Sequence, residues 1–222
     1  ITWLALTGIV VGSVMAIAQK DAKRMLAYSS VAQIGYIGVG IGLGSPIALV
    51  GAMLHILNHA IMKSCLFLVT GSVQLQANTV DLRAYTGLGR RMPWTFAAFT
   101  LAALAMVGVP PTNGFFSKWY LVLGAIDGGN WAVVIMVLAS SLLTAVYFFR
   151  MLERIYAREE GDVPLAAARS VGAAGVVTDP PLAMRIPLLV MAAGVLVLGL
   201  VNAWLVSNIL RGALPTDLPW PL

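Results

Sequence analysis

Apolar residues run along this chain in long blocks, and charged residues collect between the blocks rather than within them. Blocks at 1–18, 27–44, 46–76, 94–126, 131–157 and 185–208 have the scale of the roughly 20 residues a helix needs to cross a bilayer core. The pattern predicts an all-α fold: a polytopic bundle of about six transmembrane spans. The block at 94–126 is the irregular one. It is interrupted by "GVPPTNGFF", residues 108–116, where Pro110 and Pro111 remove two backbone donors and Gly108 and Gly114 loosen the same point. It is long enough for one broken span or two short ones.

Charge decides between these. If 94–126 crosses once, Lys20, Lys23, Arg24, Arg83, Arg90, Arg91, Arg150, Arg154, Arg158, Arg169 and Arg185 all fall on one side, eleven of the fourteen basic residues. The opposite side keeps Arg211, and Lys63 and Lys118 stay within the membrane. A double crossing would move the arginines from Arg150 onward to the other face and remove the bias. The positive-inside rule therefore predicts one discontinuous span, the eleven residues cytoplasmic and the C-terminus outside, in the inner (cytoplasmic) membrane.

Composition agrees. The chain is 59% hydrophobic and 10% charged, against about 25% charged in soluble domains. The first block lacks the charged start and cleavage site of a signal peptide, and the chain opens on Ile1, so it is expected to be part of something longer. The single Cys65 excludes an internal disulfide and a cysteine-based metal cluster. A sequence pI near 9.7 could suggest nucleic acid, but the basic residues are spread over loops, as a membrane topology requires. Residues 1–157 are expected to form the main bundle. Residues 158–184, rich in Gly, Ala, Pro and charge, form a flexible or lateral linker, and residues 185–222 form a last span and tail. Gly8 and Gly12, and Gly35, Gly38 and Gly42, give small residues at helical spacing suited to helix–helix packing.

All nine acidic residues map to loops or helix ends, so the deep ionisable groups are His55, His59, Lys63 and Lys118. A charge at the bilayer centre costs at least about 2.5–3.5 kcal/mol, and such groups commonly mark ion or proton paths. At spacing i, i+4, i+8 the first three share one helical face, each about 6 Å further along the axis. Bound water could bridge the gaps, with Asn58 and Ser64 as neighbours able to hold it. Imidazole can accept a proton on one nitrogen and release one from the other, and an amine in apolar surroundings can load and unload a proton. Lys118 follows the break, where Thr112, Asn113 and Ser117 supply polar groups for a hydrated cavity. The competing reading is interhelical hydrogen bonding by the histidines and snorkelling by the lysines. A haem is disfavoured because both histidines sit on one helix. Lys23, beside Asp21 in a tight turn, reads as a cytoplasmic anchor.

The stretches "QKDAKRMLAYSSVAQIGY" (19–36), "LHILNHAIMKSCLFLVTGSV" (54–73) and "GVPPTNGFFSKWYL" (108–121) resemble the proton-conducting antiporter-like subunits of respiratory complex I, membrane-bound hydrogenases and Mrp-type cation/proton antiporters. The "GLGRRMPW" loop (87–94) looks most like the Mrp D subunit. The resemblance implies two inverted five-helix repeats, each with a broken helix, of which this chain holds the second. It implies Lys63 as the connecting group of a hydrated polar axis lined by His55 and His59, with Lys118 leading outward. The resemblance also implies a cytoplasmic proton-entry role for Lys23 near that axis, and Ser64, Thr112 and Ser117 complete the candidate polar set. The first-repeat Glu–Lys pair of the family has no counterpart in these residues.

Three functions compete at this point. The leading one is a subunit moving protons against Na⁺ or another monovalent cation in a hetero-oligomer. The second is a proton-pumping subunit of an NADH:quinone oxidoreductase or membrane-bound hydrogenase, with redox chemistry in other subunits, since no nicotinamide, flavin, iron–sulfur or quinone signature occurs here. The third is a membrane scaffold. None makes the chain itself an enzyme, and no cofactor or metal is expected. The expected partners are other membrane subunits, protons, monovalent cations and lipid, with no nucleic acid.

Overall fold

The computed structural model describes residues 1–157, 177–210 and 212. Its helices are α1 (Thr2–Ala18), α2 (Ala22–Leu43), α3 (Pro46–Ala77), a 3₁₀ turn (Leu82–Tyr85), α4 (Leu88–Arg91), α5 (Pro93–Val107), α6 (Asn113–Asp127), α7 (Trp131–Tyr156), α8 (Leu182–Leu200) and α9 (Asn202–Leu205), which runs into a π-helical turn at Val206–Leu210. The described residues form a helical bundle, as the apolar blocks predict. Residues 158–176 of the expected linker, with Arg158 and Arg169, lie outside the described residues, as does Arg211.

The helix ends follow local chemistry. Asp21 caps α2 by accepting from the Arg24 N–H at 2.9 Å, and Ser45 caps α3 through the Ala48 N–H at 3.2 Å, with Pro46 in the first turn. Gly44 ends α2 and Gly108 ends α5, both at positive φ. No residue beside α5 caps its start. Asp179 does so from 85 residues along, accepting from the N–H groups of Trp94 and Thr95 and from the Thr95 hydroxyl at 2.7 Å.

The long helix α3 is the spine. Along the broken segment its neighbours fall in steady order. Cys65 lies against the Ala98 carbonyl and Met62 against Gly114, while Gly51 lies against Leu121 and Ala48 against Gly124. α5 and α6 therefore form one interrupted rod antiparallel to α3, rather than a hairpin. α8 runs the same way on another side, from Met184 beside Gly71 through Gly194 beside Ile61 to Val206 in the cluster with Val50 and Leu54. The loop ends are tied by backbone bonds: Ala22 to Val80, Leu82 to Lys20 and Gly87 to Arg154. These gather Lys20, Lys23, Arg24, Arg83, Arg90, Arg91, Arg150, Arg154 and Arg185 at one end of the bundle, the basic end.

α1 and α2 approach closely through small residues. A Cβ on Gly12 would sit 2.6 Å from the Ala32 nitrogen, and one on Gly35 would sit 2.8 Å from the Ala5 carbonyl oxygen. Gly8 is different: nothing lies within 4 Å of that position. Trp3, Leu4, Ile135, Leu142, Leu200 and Trp204 face outward, as a lipid-facing surface requires.

Candidate functional site

At the break α5 ends at Val107 and α6 begins at Asn113. The Gly108 and Val109 N–H groups both bond the Leu104 carbonyl, so the carbonyls of the last α5 residues have no helical partner. Lys118 reaches back to fill that role. Its Nζ donates to the Met106 oxygen at 2.8 Å, the Val107 oxygen at 3.1 Å and the Ser141 hydroxyl of α7 at 3.2 Å. It also lies 5.0 Å from the ring centroid of Tyr36. An ammonium at a helix C-terminus is favoured by the helix dipole as well. The two rod halves meet closely at Gly114, where a Cβ would overlap the Ala105 carbonyl oxygen. Gly199 of α8 seals the other side, where a Cβ would overlap the Pro111 carbonyl oxygen in the same way.

The unbroken α3 carries the other polar groups. Lys63 is 6% exposed, which rules out snorkelling to either interface in this bundle, and donates to the Leu26 carbonyl and the Ser29 hydroxyl, each at 2.7 Å. One turn away, the His59 and His55 rings stack with centroids 6.3 Å apart and planes 2° apart, matching the axial step expected from their spacing. His55 bonds at both nitrogens: Nδ1 to the Ser117 hydroxyl at 2.9 Å and Nε2 to the Gln33 side-chain oxygen at 3.0 Å. With that amide orientation, Nε2–H donates to Gln33 and Nδ1 accepts from Ser117. Lys118 approaches the same histidine through Tyr36, whose ring lies 5.4 Å from the His55 ring and 5.0 Å from the Lys118 Nζ.

Several atoms in this region are buried without a hydrogen-bond partner: His59 Nε2, Asn58 Oδ1, both side-chain atoms of Asn113 and Gln33 Nε2. Asn58 Nδ2 donates to the Asn113 carbonyl at 2.8 Å. Buried amides left open in this way have the donors and acceptors to hold water.

The structure thus brings together Lys63, His59, His55, Ser117 and Lys118. It places the remaining sequence candidates elsewhere. Ser64 is exposed on α3 rather than turned toward the cluster. Thr112 bonds the Val109 carbonyl at 2.6 Å and secures the turn of the break. Lys23 sits at the basic end against the Gln74 side-chain oxygen.

Sequence reasoning missed Ser29, Gln33 and Tyr36 on α2, and Ser140, Ser141, Thr144 and Tyr147 on α7. Tyr36 donates to Ser140 at 2.9 Å, and Ser13 of α1 lies 3.1 Å from Ser140. The signal was available: residues 29, 33 and 36, and residues 140, 144 and 147, each repeat at i, i+4, i+7 on an otherwise apolar helix.

Comparison with known proteins follows the same lines. The chain is 48% identical over 219 residues to NADH-quinone oxidoreductase subunit N of Desulforudis audaxviator, covering 98% of this chain and 44% of that protein. It is 38% identical over 133 residues to the D subunit of the Na(+)/H(+) antiporter of Alkalihalophilus pseudofirmus, covering 60% of this chain and 27% of that one. A subunit of the archaeal membrane-bound sulfane sulfur reductase, a respiratory membrane complex, superposes with a TM-score of 0.82 at 29% identity, over 94% of this chain and 34% of that one. The chain therefore spans less than half the length of these relatives. Residues 1–144 match the family described as NADH:quinone oxidoreductase/Mrp antiporter, transmembrane, and the chain belongs to that family.

Proposed function

We propose that this chain is the proton-translocating portion of an antiporter-like membrane subunit working within a larger membrane assembly. The observation that carries the reading is the pair of buried lysines clustered with two stacked histidines and a serine. No carboxylate among the described residues pairs with either amine. A structural anchor needs one such group; a path needs a series.

In this mechanism a proton loads on Lys63, passes by water to His59 and His55, crosses by Ser117 and water to Lys118, and leaves on the side away from the basic end. His55 serves both directions because one ring nitrogen takes a proton while the other gives one up. Water fills the steps that protein atoms leave open, at the unpaired nitrogen of His59 and the open amides of Asn58 and Asn113. The basic end faces the cytoplasm, and the assembly sits in the cytoplasmic membrane with other membrane subunits as partners.

Two assemblies fit. The 48% identity to subunit N over nearly the whole chain favours a redox-driven complex whose electron chemistry lies in other subunits. The 38% identity to the antiporter D subunit supports the alternative, exchange of protons for Na⁺, over a shorter stretch. The motifs taken alone favour exchange, and the relatives move the balance toward the redox-driven complex.

The test is proton translocation in membrane vesicles holding the full assembly with Lys63→Met or Lys118→Met. Each variant is expected to assemble and to lose translocation by ~100-fold or more. Wild-type rates in both would overturn the reading. Rates measured with and without Na⁺, and with and without a reductant, separate the two assemblies.

A further inference from the structure

A cavity of about 210 Å³ opens at the basic end between α1, α2, α7 and the 81–83 loop, lined by Gln19, Lys20, Asp81, Arg83, Tyr147 and Arg150 among others. Tyr147 is the innermost polar residue of that wall. The residue is only 4% exposed, and its hydroxyl oxygen is sealed from solvent, makes no hydrogen bond of standard geometry, and faces Ser29 and Thr144. Ser29 is the hydroxyl to which Lys63 donates at 2.7 Å. Two hydroxyls therefore separate a cavity roomy enough for water from the buried amine, while a buried phenol is left open at the junction.

We propose that this cavity is the route by which Lys63 exchanges protons with the solution at the basic end, and that Tyr147 passes them. The inference rests on the proton-translocating reading above and adds its inlet. The transfer balances without any further reactant. Neutral Lys63 takes the Ser29 hydroxyl proton on its lone pair, Ser29 takes the Tyr147 proton, and Tyr147 takes one from cavity water, which regains its own from the solution at the basic end. One proton enters, one N–H bond forms on Lys63, and each hydroxyl keeps one hydrogen. Rotation of the two O–H bonds then resets the chain. The ring of Tyr147 meanwhile closes the cavity floor, so that water does not run freely to Lys63. Such a closure is what a path with only one side open at a time needs.

The cations on the wall do not block this route. Lys20, Arg83 and Arg150 are exposed and Arg154 is partly exposed, and charges in contact with bulk solvent are screened beyond about 8 Å at physiological salt. Asp81 supplies a carboxylate on the same wall.

Two measurements on the full assembly test the proposal. Tyr147→Phe keeps the ring and removes the hydroxyl, and its proton translocation is expected to fall by at least ~10-fold with assembly unchanged. Lys63→Met and Lys118→Met are run beside it. If both lysine variants lose translocation while Tyr147→Phe keeps the wild-type rate, the inlet is wrong and the wider reading stands. If all three keep the wild-type rate, both are wrong. The second measurement, decisive should the Phe variant fail to assemble, places Cys at position 147 in a Cys65→Ser background. It then applies a membrane-impermeant thiol reagent to each face in turn. Labelling from the basic end alone supports the proposal, and no labelling from that end overturns it.

Discussion

The two buried lysines solve one problem on two different backbones. Lys63 sits in an unbroken helix and finds two acceptors on α2, the Leu26 carbonyl and the Ser29 hydroxyl. The Leu26 carbonyl is already in use, since it also accepts from the Ser30 hydroxyl at 3.1 Å. Lys118 has three acceptors, and two of them are carbonyls that the break released from α5. A neutral amine has two hydrogens to donate and an ammonium three. The Lys63 site can thus be filled by a neutral amine, whereas the Lys118 site uses every hydrogen of an ammonium. A broken helix does more than admit water: it supplies acceptors that a continuous helix keeps for itself. In the proposed mechanism each deprotonation of Lys118 must release one of its three partners, so proton transfer would act directly on the joint between α5 and α6.

Four substitutions test how far the sites differ. Gly114→Ala should have the largest effect, because the new Cβ would meet the Ala105 carbonyl, a backbone atom with no room to yield. Destabilisation of about 3 kcal/mol or more is expected, with little assembled protein recovered, as the Lys118 platform is forced apart. A normal yield and melting temperature would show that the joint is soft. Next comes the stability contrast between the lysine variants. Lys118→Met leaves the Met106 and Val107 carbonyls unpaired and should cost about 1–3 kcal/mol, read as a lower melting temperature in detergent. Lys63→Met strips no carbonyl of its only partner and should melt near wild type. Equal losses would erase the distinction. The smallest effect is expected from Asp179→Ala, about 1 kcal/mol. Faster amide exchange confined to Trp94 and Thr95 would mark the lost cap, with both lysine sites untouched; unchanged exchange there would show that the cap is dispensable.

Much of this was legible in the sequence because the strongest signals were violations. Two prolines inside an apolar block announced the break, and the basic residues resolved it as one interrupted rod. Three ionisable groups at i, i+4, i+8 announced the face of α3 that carries the buried polar cluster. What stayed hidden were ordinary residues. Ser29, Tyr36, Ser140 and Tyr147 are unremarkable singly in membrane helices, and their meaning comes from α2 and α7 meeting face to face. Ser64 shows the reverse error: adjacency to Lys63 suggested a shared site, but one residue along a helix turns the side chain about 100° away. Asp179 could not have been assigned at all, since nothing local links it to α5.

That last contact has a consequence for how the protein is made. The chain enters the bilayer in order, so α5 and α6 are inserted while the amides at the start of α5 still lack their carboxylate. The missing group arrives only after the whole of α7 has been synthesised, at the threshold of α8. Until then the interrupted rod is unfinished, and its completion waits on the ribosome.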